Sequence, residues 1–400
     1  MSKVKIVACG LSNKTLTRAG QEALAEASML IGPKRLVEEF CLPGVKSHIA
    51  FQPEVVAPLI EGREENIVLL VSGDAGFYSA AKQYLNYFKE LDIEVIPGIS
   101  SLNYFFAKLG RPWEKVELVS CHGKEVNLVE KVRRNPEVFA LTGANVGQLL
   151  RELDYYGFSD CKVNVGENLG LPDEAVYSGT VRSLMERDYP SLTVLLIENP
   201  HASSRLSFGL PDEAFIRGEV PMTKSEIRAV IMSKLHIEPD SICLDLGAGT
   251  GSVSVEMALN AHEGQVLAID RNAEAVDLIK TNAKNFQVSN LKTMHADLAE
   301  ALDLLEEAGA FSNVDRVFIG GGGAKLIPEL LAKVWKRYPQ ARVVGSAICL
   351  ESLEAFMHAF KEAGAKFDVV QLFVARAEKL ASIHMLRGEN PIFILSGGLE

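Results

Sequence analysis

The sequence predicts two α/β domains in tandem, on three observations. Short apolar runs alternate with stretches of helical period on both sides of residue 200. A segment rich in proline, glycine and serine with no sustained period, Glu198–Thr223, separates the two alternations. The 400-residue length suits two or three domains of ordinary size. The expected division is 1–205 and 206–400.

Taken in order, Val4–Cys9 reads as a strand, Leu16–Met29 as a helix, Ile67–Val71 as a strand, Ser79–Leu91 as a helix and Ile93–Ile96 as a strand. That alternation predicts much parallel pairing, and Thr193–Ile197 reads as the last strand of the first domain. Beyond the linker, Lys224–Leu235 has helical spacing. Strands follow at Ile242–Leu246, before Asp270, at Leu291–His295 and before Gly320.

Hydrophobic residues at 48% and charged residues at 23% describe a chain able to bury sizeable cores, which excludes disorder as its main state. A net charge of −11 argues against nucleic acid or an anionic membrane as partner, since both require a broad basic face. The apolar runs are far shorter than the roughly 20 residues that span a bilayer. The six cysteines are scattered, with no C-x-x-C pair and no histidine cluster, so neither a disulfide framework nor a metal site is expected. The N-terminus enters a strand directly, with no signal-peptide h-region, and a cytoplasmic location is expected.

The strongest chemical signal is SICLDLGAGTGSVSVEMA, Ser241–Ala258. The strand Ile242–Leu246 runs into Gly247-Ala248-Gly249-Thr250-Gly251 and then into a helix that can start at Ser252. Glycines there let the backbone approach a ligand with no Cβ between, and the helix N-terminus offers free N–H groups. About twenty residues on, Asp270 ends a second strand, where a carboxylate can accept from both ribose hydroxyls. The dinucleotide fingerprint needs glycine where this chain has Ser252. The G-x-G-x-G spacing behind Asp245 instead resembles class I S-adenosyl-L-methionine (SAM) methyltransferases, and so implies a SAM site. A nicotinamide cofactor or a structural glycine turn are the alternatives. After the third strand, Asp297 beside Leu298 could reach an adenine amino group or cap the helix that follows.

After the fourth strand, Gly320–Gly323 stand where base-methylating enzymes often carry an Asn/Asp-Pro-Pro-aromatic tetrad. Consecutive glycines before a helix suit a bulky anionic substrate, with Gly321 and Gly322 on the floor; a flexible turn is the plainer alternative. Because this loop and Gly247–Gly251 follow different strands, a side chain at Gly321 or Gly322 should block substrate and spare the cofactor.

In the first domain, Ser72-Gly73-Asp74-Ala75-Gly76-Phe77, Pro97-Gly98-Ile99-Ser100-Ser101 and Val165-Gly166-Glu167-Asn168-Leu169 each follow a strand, where α/β sheets bind ligands. Singly they are common turns. In this order they resemble the class III methyltransferase fold, and residues 95–124 resemble its corrin-pathway branch.

The whole chain resembles the fused precorrin-6Y (precorrin-6B) C5,15-methyltransferase (decarboxylating) family of cobalamin biosynthesis. In that family an N-terminal class III tetrapyrrole methyltransferase fold precedes a C-terminal class I Rossmann-like methyltransferase fold. Gly209–Val230 and Asn390–Leu395 extend the second match. The resemblance implies C5 methylation by the first module, and C15 methylation with loss of CO₂ from the C12 acetate by the second, to give precorrin-8 or its cobalt form. It implies Ser72, Gly73, Asp74, Phe77, Ser100 and Ser101 around one SAM. Around the other it implies Thr223, Gly247, Ala248, Gly249, Thr250, Gly251, Asp270, Asp297 and Leu298. It also implies a homo-oligomer, since both folds usually self-associate. One departure is that the G-x-G-P-G loop of class III enzymes is here Cys9-Gly10-Leu11-Ser12-Asn13.

A tetrapyrrole partner carries several carboxylates, so a basic cluster is expected to offset the chain's negative charge; Arg217, Lys224, Arg228 and Lys325 lie in or beside the loops of the second module. Glu226, Asp245 and His384 are unranked candidates for the acid that decarboxylation requires. An RNA or protein methyltransferase with an accessory α/β domain is the competing reading; the acidic balance and the missing tetrad stand against it.

Overall fold

A computed structural model describes residues 4–63, 65–122, 126–204, 208–380 and 382–399. It divides into a first unit, residues 1–128, 135–154 and 158–202, and a second, residues 129–134, 155–157 and 203–400. The expected boundary at 205/206 lies outside the described residues, as do Gly123 and Lys124 at the end of the corrin-like stretch.

The first unit opens with β1 (Val4–Ala8), β2 (Met29–Gly32), β3 (Lys46–Ile49), β4 (Ile67–Val71) and β5 (Ile93–Ile96), a wholly parallel sheet in the order β3-β2-β4-β1-β5. β2 and β4 are buried at every residue, which is why they read as continuous apolar runs: both faces of the sheet are covered. Ile6 and Leu69 pack on one side with Val56 and Tyr84, while Val7 and Leu70 pack on the other with Leu24 and Leu36. The helix expected over Leu16–Met29 is shorter, Arg18–Ala25, and Met29 begins β2. No glycine or proline separates the two, so a short buried strand passes for a last helical turn.

A second sheet holds β6 (Glu117–Ser120), β7 (Glu137–Leu141), β8 (Lys162–Glu167), β9 (Ala175–Thr180) and β10 (Thr193–Glu198) in the order β6-β7-β10-β8-β9. Only β6 and β7 are parallel, contrary to the parallel pairing expected. The turn from β8 to β9 contains no crossover helix, and strands joined that way pair antiparallel. The last strand, β10, lies in the middle of the sheet, buried from Thr193 to Ile197.

The second unit contains β11 (Ile242–Leu246), β12 (Gln265–Asp270), β13 (Leu291–His295), β14 (Arg316–Ile319), β15 (Arg342–Ala347), β16 (Lys366–Leu372), β17 (Ala375–Leu380), β18 (Ile383–Gly388) and β19 (Ile392–Gly398). Seven of them form the Rossmann-like sheet β13-β12-β11-β14-β15-β19-β16, with β19 antiparallel to both neighbours; β17 and β18 form a separate hairpin. Strand order reverses between β11 and β14, and the carboxyl ends at such a switch point are where ligands bind. One face packs Leu246, Ile269 and Ile319 on Val334 and Phe360, the other Cys243, Ala268 and Phe318 on Ile231 and Val255. Among the described residues no helix is long and apolar enough to cross a membrane.

Candidate active sites

In the second unit the loop after β11 turns through three left-handed glycines, Gly247 (φ +85°), Gly249 (φ +56°) and Gly251 (φ +77°). Close approach adds to that demand. A Cβ on Gly249 would lie 2.8 Å from the Pro221 carbonyl oxygen, and one on Gly251 2.8 Å from Ile279 Cγ1. Asp270, at the end of β12, fixes the loop: one carboxylate oxygen accepts the Gly249 N–H at 2.9 Å, the other the Asn272 N–H at 2.9 Å. Each oxygen keeps a further lone pair, so the half-buried carboxylate can still receive hydroxyls. Beneath the loop, Thr250 Oγ1 and Asp245 Oδ1 are buried polar atoms without a partner. Left-handed cradle, acceptor carboxylate and orphaned polar atoms together fit a polar adenosine cofactor.

The segment 209–223, an entry loop ahead of the helix Ser225–Leu235, is bolted onto this cradle. Asn282 reaches both sides: its Nδ2 donates to the carbonyls of Ile216 (3.0 Å) and Thr250 (2.9 Å), and its Oδ1 accepts the Ile216 N–H (2.8 Å). Arg228, expected to face an anionic substrate, is instead fully buried. It pairs with Glu256 (2.8 Å) and Asp212 (2.9 Å), donates to the carbonyls of Thr223 and Leu210, and lies 4.7 Å over the Phe215 ring. Glu256 in turn accepts the N–H groups of Gly209 and Leu210. A buried guanidinium is held only where paired carboxylates and carbonyls satisfy its donors, and here they are the loop's own. Arg228 therefore leaves the expected basic cluster. Lys224 stands 3.9 Å from Asp212, while Arg217 and Lys325 are exposed.

Gly320–Gly323 follow β14, the strand beside β11, and the two glycine loops touch. A Cβ on Gly247 would fall 2.8 Å from the Gly321 backbone, and one on Gly321 3.3 Å from Gly247 Cα. The expectation that a side chain at Gly321 spares the cofactor loop is overturned, because adjacent parallel strands deliver their loops side by side. Gly322 takes φ +98° as it caps the helix Gly323–Arg337. Asp297 caps the helix Leu298–Glu307 by accepting the Ala299 N–H, and Leu298 is buried in the core.

Asp245 is completely buried at the end of β11, and its other carboxylate oxygen accepts the Ser254 hydroxyl. Burial pushes its pKa up to about 7; the Ser254 hydrogen bond opposes this and the Asp270 charge adds to it. Glu226 moves the other way: burial works upward, but hydrogen bonds and charge from Arg376 outweigh it and hold the carboxyl below its ordinary value. A carboxylate so paired is a poor proton donor at neutral pH. His384 is exposed on the β17–β18 hairpin.

In the first unit the ends of β1, β4 and β5 converge on backbone. Gly10 and Gly73 exchange two hydrogen bonds, at 3.1 and 2.8 Å. A Cβ on Gly98 would lie 2.3 Å from the Gly73 oxygen and 2.4 Å from that of Ala8, so nothing larger fits. Asp74 joins the loops, one oxygen accepting Gly76 N–H and the other Gly98 N–H. Ser100 is buried and caps the helix Ser101–Leu109 through Asn103. Phe77 packs towards Phe139 in the aromatic core, and Ser72 is exposed. The altered loop Cys9–Asn13 is tied down by Thr15, whose hydroxyl accepts the Leu11 and Ser12 N–H groups and donates to the Ser12 carbonyl. Sequence reasoning missed Thr15, Asn282, Glu256 and Asp212; only the short Ser12–Thr15 spacing left a local signal for any of them.

Residues 213–397 match the precorrin methyltransferase domain family, and residues 3–185 match the family of tetrapyrrole (corrin/porphyrin) methylases. The probable cobalt-precorrin-6B C(15)-methyltransferase (decarboxylating) of Pyrobaculum calidifontis is 39% identical over 191 residues, 47% of this chain and 94% of its own. Its counterpart in Sulfurisphaera tokodaii is 37% identical over 192 residues, 47% of this chain and 96% of its own. The solved precorrin-6Y C5,15-methyltransferase of Geobacter metallireducens is 30% identical, with a TM-score of 0.44, covering 48% of this chain and 97% of that one.

Proposed function

The chain belongs to the precorrin methyltransferase family, and from that premise we propose that it is a bifunctional SAM-dependent C-methyltransferase of corrin-ring biosynthesis. The second unit methylates C15 and removes the C12 acetate carboxyl as CO₂; the first unit, matched by the tetrapyrrole methylase family, methylates C5. The observation that carries the reading is the convergence of the Asp270-held glycine loop with Gly320–Gly323 on one edge of the Rossmann-like sheet.

When bound, SAM supplies a methyl group already activated by a sulfonium charge, so the protein's contribution is chiefly positioning. Asp270 is assigned to the ribose, Thr250 and Asp245 to the polar floor, and the backbone of Gly247–Gly251 to the cofactor's close edge. Asp297 and Leu298 are assigned to the adenine side, the latter through its backbone. Pro221 and Thr223 lie on the entry loop that Arg228 and Asn282 hold against the cradle. The exposed Gly322, with Arg217, Lys224 and Lys325, is assigned to the carboxylate-rich macrocycle. In the first unit, Ser72, Gly73, Asp74, Phe77, Ser100 and Ser101 are assigned to the cofactor, with Gly73, Asp74 and Ser100 brought together at the strand ends. Loss of CO₂ leaves its electron pair in the conjugated ring system of the substrate, and a proton then completes the new methyl at C12.

Mass spectrometry tests the proposal. The full chain, given excess SAM and either metal-free or cobalt-containing precorrin-6B, should yield a product gaining two methyls and losing one CO₂. Asp270→Ala should weaken SAM binding at the second site by a few kcal/mol in calorimetry, since hydrogen bonds to charged groups contribute roughly 1.5–3 kcal/mol each. It should abolish the coupled C15 methylation and decarboxylation. A product without added methyl, or unchanged SAM affinity in the variant, would remove the assignment.

A further inference from the structure

We propose that Arg376 is a positioning residue for the second site: it latches the β17–β18 hairpin to the entry loop and so keeps Pro221–Thr223 seated against the glycine loop that takes SAM. This role rests on the methyltransferase reading above.

The hairpin starts at the edge where such a latch is useful. β11, β14 and β15 are parallel, β19 is antiparallel to β15, and β16 is antiparallel to β19. β16 therefore ends on the same edge as β11 and β14, the edge that carries both glycine loops. The hairpin leaves from that end and returns to the start of β19, closed at its root by the Glu389 N–H on the Val374 carbonyl at 2.9 Å. Val374 packs on the same apolar cluster as Met222 of the entry loop and Ala248 of the glycine loop. Among the described residues, however, β17 and β18 pair only with each other. A two-stranded hairpin is marginal in water by itself, so its place depends on what its side chains hold.

Arg376, the second residue of β17, holds carboxylates from three segments. Its Nη1 and Nη2 donate to one oxygen of Asp212, each at 3.3 Å; Nη2 also donates to Glu226, and Nε lies 3.4 Å from Glu389. Asp212 belongs to the entry loop, Glu226 to the first turn of the helix Ser225–Leu235, and Glu389 to the hairpin's return. Residues 213–225, Pro221 and Thr223 among them, are thus bracketed by two carboxylates on one guanidinium. A planar fork with several donors suits that bridging, and a point-like ammonium does not. Arg228 takes the other oxygen of Asp212 and ties it to the buried Glu256, so the loop is fastened inward by one arginine and to the hairpin by the other. The latch reaches the cofactor through the Pro221 carbonyl, which lies 2.8 Å from where a Cβ on Gly249 would stand. Its action on SAM is therefore indirect, through Asp212 and Glu226.

The experiment uses the full chain carrying Arg376→Gln, which removes the charge and the fork. Release of CO₂ from cobalt-precorrin-6B at varied SAM reads the second site alone. The KM for SAM should rise about tenfold, the factor set by about 1.4 kcal/mol. Asp212 keeps Arg228 and Lys224, which holds the loss to that size. The kcat at saturating SAM and the melting temperature without SAM should stay near the parent values. Hydrogen exchange should show residues 212–224 losing protection while β11 and β12 keep theirs. If Arg376→Gln does not fold, Arg376→Lys, which keeps the charge without the fork, decides by the same split with a smaller rise in KM. An unchanged KM for SAM overturns the latch. So does a fall in kcat and melting temperature together with lost protection at β11 and β12, which would make Arg376 an ordinary structural residue. A parent chain that binds no SAM in calorimetry and releases no CO₂ overturns the methyltransferase reading itself, and the latch with it.

Discussion

The two units build a glycine-lined edge by different means. In the first, loops from three strands are held by backbone meeting backbone: Gly10 against Gly73, and Gly98 under the carbonyls of Gly73 and Ala8. In the second, side chains reach in from distant parts of the sequence, with Arg228 between Glu256 and Asp212, and Asn282 between Ile216 and Thr250. The first edge fails chiefly by steric intrusion, although Asp74 also clasps it through the N–H groups of Gly76 and Gly98. The second fails when an ionic or amide partner is lost. Each variant below should therefore injure one unit and spare the other.

Arg228→Met should have the largest effect. It keeps the apolar length of the side chain but leaves Glu256 buried without its cation, while Asp212 retains Arg376 and Lys224, a loss of about 3–5 kcal/mol. Hydrogen exchange followed by mass spectrometry should show the segment from Gly209 to Thr223 and the helix Ser252–Asn260 losing protection, while β1, β4 and β5 stay protected. Retained protection at Gly209–Thr223 would show that the clamp does not hold the entry loop.

Gly98→Ala is the converse and comes next. The new methyl meets two carbonyl oxygens that belong to different strand ends, so β1 or β4 must shift. Overpacking of this kind costs typically 1–3 kcal/mol. C5 methylation should fall at least a hundredfold, and C15 methylation with decarboxylation should persist, as a product gaining one methyl and losing CO₂. Loss of both methylations together would refute the idea that the two edges fail separately.

The same contrast decides what was legible in the sequence. β4 was readable because a strand covered on both faces leaves an uninterrupted apolar run. β2 was not, because MLIG adjoins a helix with no breaker between them. The glycine turn after β11 was readable because its left-handed residues lie close together in sequence, and Asp270 because it ends the next strand. Arg228 was misread as a substrate contact, since a basic residue near a site looks the same whether it faces solvent or a buried Glu256 that is 28 positions away. The contact of Gly247 with Gly321 was also missed: it depends on β11 and β14 being neighbours, which the order of strands along the chain does not reveal.

The smallest effect is a matter of pH, and it sharpens the comparison because, among the described residues, the second unit buries a carboxyl under its glycine loop and the first does not. Asp245 is folded at a pKa of about 7 against an ordinary 3.8, while Asp74 in the first unit is half-exposed with both oxygens accepting backbone N–H groups. Between those two values the unfolded chain has released the Asp245 proton and the folded chain retains it. The folded state thus binds the extra proton, and stability falls as pH rises through that window, levelling off above the folded value. Asp270 faces the group from β12 and Ser254 from the following helix; the first strengthens the effect and the second moderates it. From pH 6 to pH 8 the parent second unit should lose about 1 kcal/mol that Asp245→Asn does not, since the amide still accepts the Ser254 hydroxyl and does not titrate. Urea unfolding at pH 6, 7 and 8, followed by hydrogen exchange at β11 and β12, measures this difference, with β1 and β4 as the internal reference. Parallel pH profiles for parent and variant would mean that Asp245 is ionised in the folded chain, and that a partner for its second oxygen compensates the charge.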